Sequence, residues 1–147
     1  MPERIAKAVK QAGLTSENLV LEVTESGLME DVRTSLNILS RLTIKGYKLS
    51  IDDFGTGYSS LQQLLRIPFA ELKLDRSFVD GAAGHRIQRV ILESTVDLAR
   101  RLDLNTVAEG VETSQDIQMV ADCGVPLIQG YFIQKPLPMA DLRDWLQ

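Results

Sequence analysis

Short runs of aliphatic and β-branched residues alternate along the chain with longer stretches in which apolar positions recur every three or four residues. The runs are Leu19-Val20-Leu21, Tyr47-Lys48-Leu49-Ser50-Ile51, Glu71-Leu72, Thr106-Val107-Ala108 and Leu127-Ile128, and each reads as a strand. Between them, Val32, Leu36, Leu39 and Leu42 fall on one helical face that Gly46 terminates. Ile87, Val90, Ile91 and Leu98 do the same from about Gly84 to Leu102, and Ile117, Val120 and Ala121 form a shorter stripe ending at Gly124. Further helices are predicted from Glu3 to Ala12, with Ile5 and Val9 one turn apart, from about Ser60 to Arg66 before Pro68, and from Asp141 to Leu146 with Leu142 and Trp145. Regular alternation of strand and helix predicts right-handed βαβ crossovers and a parallel sheet covered by helices, an α/β fold. Ligands of such sheets meet the carboxyl ends of the strands.

Those ends are where the chain places a series of polar and charged groups. Glu22 and Glu25 follow the first run, Asp52 and Asp53 the second, Lys73 and Asp75 the third, Glu109 and Glu112 the fourth, and Gln129 the fifth. Adjacent carboxylates repel unless a cation lies between them, so Asp52 and Asp53 form a candidate site for a hard metal ion. The plainer reading is that Asp53 caps the next helix while Asp52 is solvated. Gly55 and Gly57 allow positive φ, which serves either a simple turn or a loop that moves between arrangements. Lys73 and Asp75 alternate with Leu72 and Leu74, as any half-exposed strand would. Glu112 suits a first-turn acid complementing the helix dipole near Thr113, whereas Glu109 ends its strand and is the one assigned to chemistry.

The segments Leu21-Glu22-Val23-Thr24-Glu25, Asp52-Asp53-Phe54-Gly55-Thr56-Gly57-Tyr58-Ser59-Ser60-Leu61, Leu72-Lys73-Leu74-Asp75, Ala108-Glu109-Gly110-Val111-Glu112-Thr113 and Gln129-Gly130-Tyr131 resemble, in order, the successive signatures of the EAL domain. That family is the bacterial cyclic di-GMP phosphodiesterase module, and the resemblance covers nearly the whole chain. It implies a (β/α)8 TIM-type barrel that hydrolyses cyclic di-GMP to pGpG with Mg2+ or Mn2+. It also implies that Glu22 and Asp52 are direct metal ligands, that Asp53 helps to hold a second ion, and that Glu109 completes the metal and water site. Lys73 would hold the attacking water or a phosphate oxygen. Glu25 would brace the loop from Asp53 to Leu61 with its hinges Gly55 and Gly57, and Glu112 and Gln129 would line the site or touch the nucleotide. These residue types suit the reaction: two divalent ions neutralise an anionic phosphodiester and activate water, carboxylate oxygens favour Mg2+ and Mn2+, and lysine adds a positive point charge. In the resembled family the Gly55–Gly57 loop couples the metal site to a dimer contact, for which the helices around Ser60–Arg66 and Arg86–Leu102 are candidates. Leu61, Leu64 and Leu65 read more readily as core.

The chain also departs from the family pattern. The Glu-Ala-Leu signature is not among these residues, nor is the Asn-bearing strand that precedes the Glu22 strand in the family, so two metal ligands are missing. A closed barrel takes at least about 200 residues, whereas 147 residues offer five strand candidates. The expected architecture is therefore a partial barrel of about five parallel strands, with residues 1–147 forming the C-terminal portion of an EAL domain. Such a sheet has two unpaired edges, and barrel-interior side chains such as Leu49 and Ile51 or Val107 would lose their opposite wall. Expected partners are cyclic di-GMP and either a second copy of the chain or the missing part of the barrel, and the isolated chain is expected to be inactive. The alternative is a non-catalytic module that binds cyclic di-GMP or another protein; an open sheet from an unrelated metal enzyme or regulatory domain is a distant third.

Composition acts mainly by exclusion. With 44% hydrophobic and 24% charged residues the chain reads as an ordered soluble domain, and no apolar run approaches the ~20 residues of a membrane span. Glu3, Arg4, Lys7 and Lys10 interrupt any signal peptide, so a cytoplasmic location is expected. A net charge of −4, with acids gathered at strand ends, leaves no basic stripe for a nucleic acid polymer. A lone Cys123 excludes an intrachain disulfide and a cysteine zinc cluster, and reads as a packed residue. His85 reads as a surface or capping residue, because no partner for general-base work is evident.

Overall fold

The computed structural model describes residues 1–55, 66–80, 82 and 84–147. Its elements run α1 (Pro2–Gln11), β1 (Val20–Thr24), α2 (Glu25–Glu30), α3 (Val32–Ile44), β2 (Lys48–Phe54), β3 (Glu71–Leu74), α4 (Arg76–Val79), α5 (Arg86–Arg101), β4 (Asn105–Ala108), α6 (Ser114–Asp122), β5 (Leu127–Ile128) and α7 (Met139–Trp145). The five strands form one parallel sheet in sequential order, β1-β2-β3-β4-β5, so each strand lies beside its successor as in a partial (β/α)8 barrel. The expected helix around Ser60–Arg66, with Leu61, Leu64, Leu65 and the hinge Gly57, falls largely or wholly outside the described residues.

Register decides which side chains share a face. Glu22 pairs with Ser50, Ser50 with Glu71 and Lys73 with Val107, so these residues and Asp52 lie on one side of the sheet. Leu49, Ile51, Leu72 and Leu74 lie on the other, where they are buried. Leu49 and Ile51 were expected on the barrel-interior side. The strand actually points them at the helices, and only Val107 of that group shares the face of Lys73.

Between β2 and β3 the register slips: Ile51 pairs with Leu72 but Phe54 pairs with Leu74. Asp52 and Asp53 together therefore oppose Lys73. Such a bulge re-aims side chains that a regular strand would send to opposite faces, and Asp53 adopts φ +55° within it.

Helices cover the apolar face. On α3 Leu39 and Leu42 are buried with Val32 and Leu36 half-buried, as their spacing predicts, and Gly46 ends the helix at φ +85°. On α5 the structure corrects the expected face: Leu92, Val96 and Ala99 turn inward, while Ile87, Val90 and Ile91 are 76%, 51% and 49% exposed. Two apolar stripes run along this helix, and periodicity alone does not say which meets the sheet. On α6 Met119 and Val120 are buried and Ala121 is exposed. Each fully buried Leu or Ile of the core, Leu42, Leu49, Ile51, Leu74 and Leu92 among them, contributes about 1.5–3 kcal/mol. No described helix is long and apolar enough to cross a membrane.

Candidate metal centre

Lys73, at mid-strand in β3, is 5% exposed and stands at the middle of an acidic group. Its Nζ lies 2.6 Å from Glu109 Oε1, 3.1 Å from Glu22 Oε1 and 3.2 Å from Asp52 Oδ1. Glu22 comes from β1, Asp52 from β2 and Glu109 from the residue after β4, so four neighbouring strands deliver these side chains to one place. Burial works against the ammonium charge, but the carboxylates outweigh it, Glu109 first, then Glu22 and Asp52, and hold Lys73 above its ordinary pKa.

Carboxylate oxygens of Asp52, Asp53 and Glu109 lie within 4.8 Å of one another. Asp52 Oδ1 is buried and takes no well-directed hydrogen bond; the approach of Lys73 at 3.2 Å is an ion pair of poor angle. A buried anionic oxygen paired with Lys73 and facing two further carboxylates belongs to a donor set suited to a hard divalent cation. The residues present therefore fit such an ion.

The turn beyond the acids is braced. Glu25, 2% exposed at the start of α2, accepts the Gly55 N–H through Oε2 at 3.0 Å across 30 residues of sequence. Gly55 adopts φ +93°, the left-handed region that favours glycine. Gly57, assigned to the same support, lies outside the described residues.

A shallow crevice next to the acids is lined by Arg76, Glu109, Glu112, Gln129 and Tyr131 over Asp75 and Gly110. Glu112 and Gln129 thus line the same crevice. The plainer reading of Glu112 as a first-turn acid does not hold: Arg76 Nη1 lies 2.8 Å from Glu112 Oε1, and the first-turn acid of α6 is Asp116, which accepts the Thr113 N–H. Asp75 caps α4 by accepting the Ser77 N–H. The loops after β4 and β5 are tied together, since the Gln129 N–H donates to Ala108 O and the Val111 N–H donates to Gln129 O. Gly130 packs so tightly that a Cβ there would fall 2.1 Å from Val111 O.

Arg76, Tyr131 and Gly130 were not singled out from the sequence as site residues, although Gly130 and Tyr131 stand in the quoted Gln129-Gly130-Tyr131 segment. Arg76 carried no signal beyond its place after Asp75. A second hollow, apolar and lined by Ile51, Leu72, Leu98 and Leu102, lies on the opposite face of the sheet and holds no ionisable group among the described residues. His85 is exposed at the N-cap of α5 without a side-chain cap bond, and Cys123 is buried, its thiol pushed up by burial.

Fold and site together define a parallel α/β protein of the TIM-barrel type with an acidic, lysine-centred cluster at the carboxyl ends of its strands. The chain belongs to the EAL domain family, whose model matches residues 1–136. It is 42% identical over 145 residues to the cyclic di-GMP phosphodiesterase NbdA of Pseudomonas aeruginosa, covering 99% of this chain and 18% of NbdA. The solved MucR phosphodiesterase of Pseudomonas aeruginosa, in complex with c-di-GMP, matches with a TM-score of 0.89 at 41% identity, over 95% of this chain and 57% of that one. A manganese and cyclic di-GMP complex of Klebsiella pneumoniae BlrP1 matches with a TM-score of 0.84 at 32% identity, over 88% of this chain and 33% of that one. The chain thus spans only part of each relative.

Proposed function

We propose that this chain forms the C-terminal portion of a cyclic di-GMP phosphodiesterase domain, and that its acidic cluster holds Mg2+ or Mn2+ for hydrolysis of the cyclic dinucleotide to pGpG. The observation that carries the reading is the convergence of Glu22, Asp52, Asp53 and Glu109 around Lys73 at one end of the sheet. Asp52, Asp53, Glu109 and Glu22 would be the ligands. When bound, the ions would neutralise phosphate charge and lower the pKa of water.

The chain's own residues do the rest. Lys73 stays protonated, orders three carboxylates that would otherwise repel one another, and adds positive charge beside the phosphate. Glu25 fixes Gly55 and with it the end of the turn that bears both aspartates. Gln129 offers an amide donor and acceptor to a base edge, and Glu112 accepts from base N–H groups once Arg76 yields it. Restraint of the loops after β4 and β5 by the Val111–Gln129 bond keeps Glu109 and Gln129 in fixed relation.

The reading also includes self-association. Ile87, Val90 and Ile91 form an exposed apolar strip on α5 that a second copy could cover, and a cytoplasmic place of action is part of the same reading. The deciding experiment is incubation with Mn2+ and cyclic di-GMP, alone and after adding the upstream part of an EAL domain, with chromatography for pGpG. Turnover only with the added part supports the reading in full. Nucleotide binding by calorimetry without turnover in either case would favour the non-catalytic module, and neither binding nor turnover would refute both.

A further inference from the structure

Gly55 closes the acidic turn and is gripped from two sides. On one side the Glu25 carboxylate accepts its N–H. On the other the ring of Phe78 lies so close that a Cβ on Gly55 would fall 2.4 Å from Cζ and 2.6 Å from Cε2. Phe78 sits on α4, which continues directly from the strand that bears Lys73, and Asp75 caps that helix between them. Lysine and ring are therefore carried by one short, rigid segment whose Leu74 and Val79 are buried at 0% and 1% exposure. The ring itself is half-buried: it packs against the edge of the core and borders a crevice with Gln88 and Ile91. It abuts a turn containing Asp53 in the left-handed region, a conformation that persists when its surroundings hold it.

We propose that Phe78 is a positioning residue for the cation centre: by pressing on Gly55 it keeps the Asp52–Asp53 bulge where both carboxylates meet Glu109. The inference rests on reading these three acids as ligands of a divalent ion. Phe78, an apolar ring with no ligand atom to offer, acts through the glycine backbone.

The test is titration calorimetry of the 147-residue chain with MnCl2, on the unaltered form, Phe78→Ala, Phe78→Tyr and Val79→Ala. Val79 is the comparator, since it is buried on the same helix and its truncation loosens that helix from the core while leaving the Phe78 ring in place. Phe78→Ala should weaken Mn2+ binding about tenfold, the lower end of the loss seen when groups orienting metal ligands are removed. Phe78→Tyr should restore the affinity, and Val79→Ala should lower the melting temperature but leave the affinity unchanged. Unchanged affinity in Phe78→Ala, or equal loss in Val79→Ala, overturns the proposal. If circular dichroism finds Phe78→Ala unfolded, Phe78→Leu takes its place with the same expected loss, because a branched aliphatic side chain presents no flat face to Gly55. Absence of Mn2+ binding by the unaltered chain, or indifference of binding to Asp52→Asn, instead removes the ligand assignment and the proposal with it.

Discussion

Lys73 Nζ stands 2.6 Å from Glu109 Oε1, so the buried cation of β3 is held most closely by the acid that follows β4, its neighbour in the sheet. The contact makes the acidic cluster tolerable before any metal arrives. Glu109 and Asp52 are 19% and 21% exposed in their side chains while Glu22 is 50% exposed, so the group lies between a buried and a surface ion pair. Replacing Lys73 by methionine keeps the volume and removes the charge. The expected cost is about 2 kcal/mol, below the roughly 3–5 kcal/mol of a fully buried pair because Glu22 remains hydrated. Mn2+ should then raise the melting temperature of Lys73→Met more than that of the unaltered chain, since the ion relieves a repulsion the lysine no longer does. Equal shifts in differential scanning fluorimetry would separate Lys73 from the cation site.

Asp52 tests the ligand set directly. Its Oδ1 is buried with Lys73 at 3.2 Å but without a well-directed hydrogen bond, so the oxygen keeps lone-pair capacity for a metal cation. Asp52→Asn removes one charge with little change of shape. Mn2+ affinity should fall at least about tenfold, or about 1.4 kcal/mol, in titration calorimetry, while the circular dichroism spectrum stays that of the folded chain. A full-strength Mn2+ isotherm in this variant would show that the ion binds elsewhere.

The alternation of strands and helices was legible because period-2 and period-3.6 patterns reflect which faces are buried, and the sheet order follows from the short crossovers. The acids were legible as a group because parallel strands deliver their carboxyl ends to one side. The pattern hid how two consecutive aspartates act together. A regular strand would send Asp52 and Asp53 to opposite faces, and only the bulge against Lys73 brings both to Glu109. The same blindness to register put Leu49 and Ile51 on the wrong face. On α5, Ala99 contributes to the buried stripe while three larger aliphatics face water, an inversion that hydrophobicity cannot signal. Short α2 and α4 escaped because a single turn has no period to read, and with α4 went Arg76 and Phe78.

Gly130 shows how tightly the crevice beside the acidic cluster is built. A Cβ there would meet Val111 O, N and C at 2.1, 2.5 and 2.7 Å, all backbone atoms that cannot swing aside. Gly130→Ala must therefore part the loops after β4 and β5. A loss of about 2 kcal/mol or more in urea unfolding is expected, within the range of overpacked interiors. Nucleotide affinity should fall further than Mn2+ affinity, because Gln129 moves with the loop while Asp52 and Asp53 do not. A stable variant with unaltered binding would mean that the two loops are free to separate.

Asp75 links the pH response of the fold to the segment that carries Arg76 and Phe78. Its carboxyl is held below the usual value, first by its hydrogen bond to the side chain of Ser77, with backbone N–H groups of α4 adding to this against the cost of burial. A folded-state pKa lower than the unfolded one, near ~3.9, gives stability that is fully present above the unfolded value and is lost as pH falls through the folded one. Relative to Asp75→Ala, the unaltered chain should therefore be more stable by about 1 kcal/mol at neutral pH, the usual worth of such a cap. The gap should narrow as the solution is acidified below about pH 4. Asp75→Asn, which keeps a capping oxygen but cannot titrate, should show less of this narrowing. Urea unfolding of the three forms between neutral and acid pH measures it, and a gap that persists undiminished at low pH would mean that the ionised carboxylate is not the group that holds α4 in place.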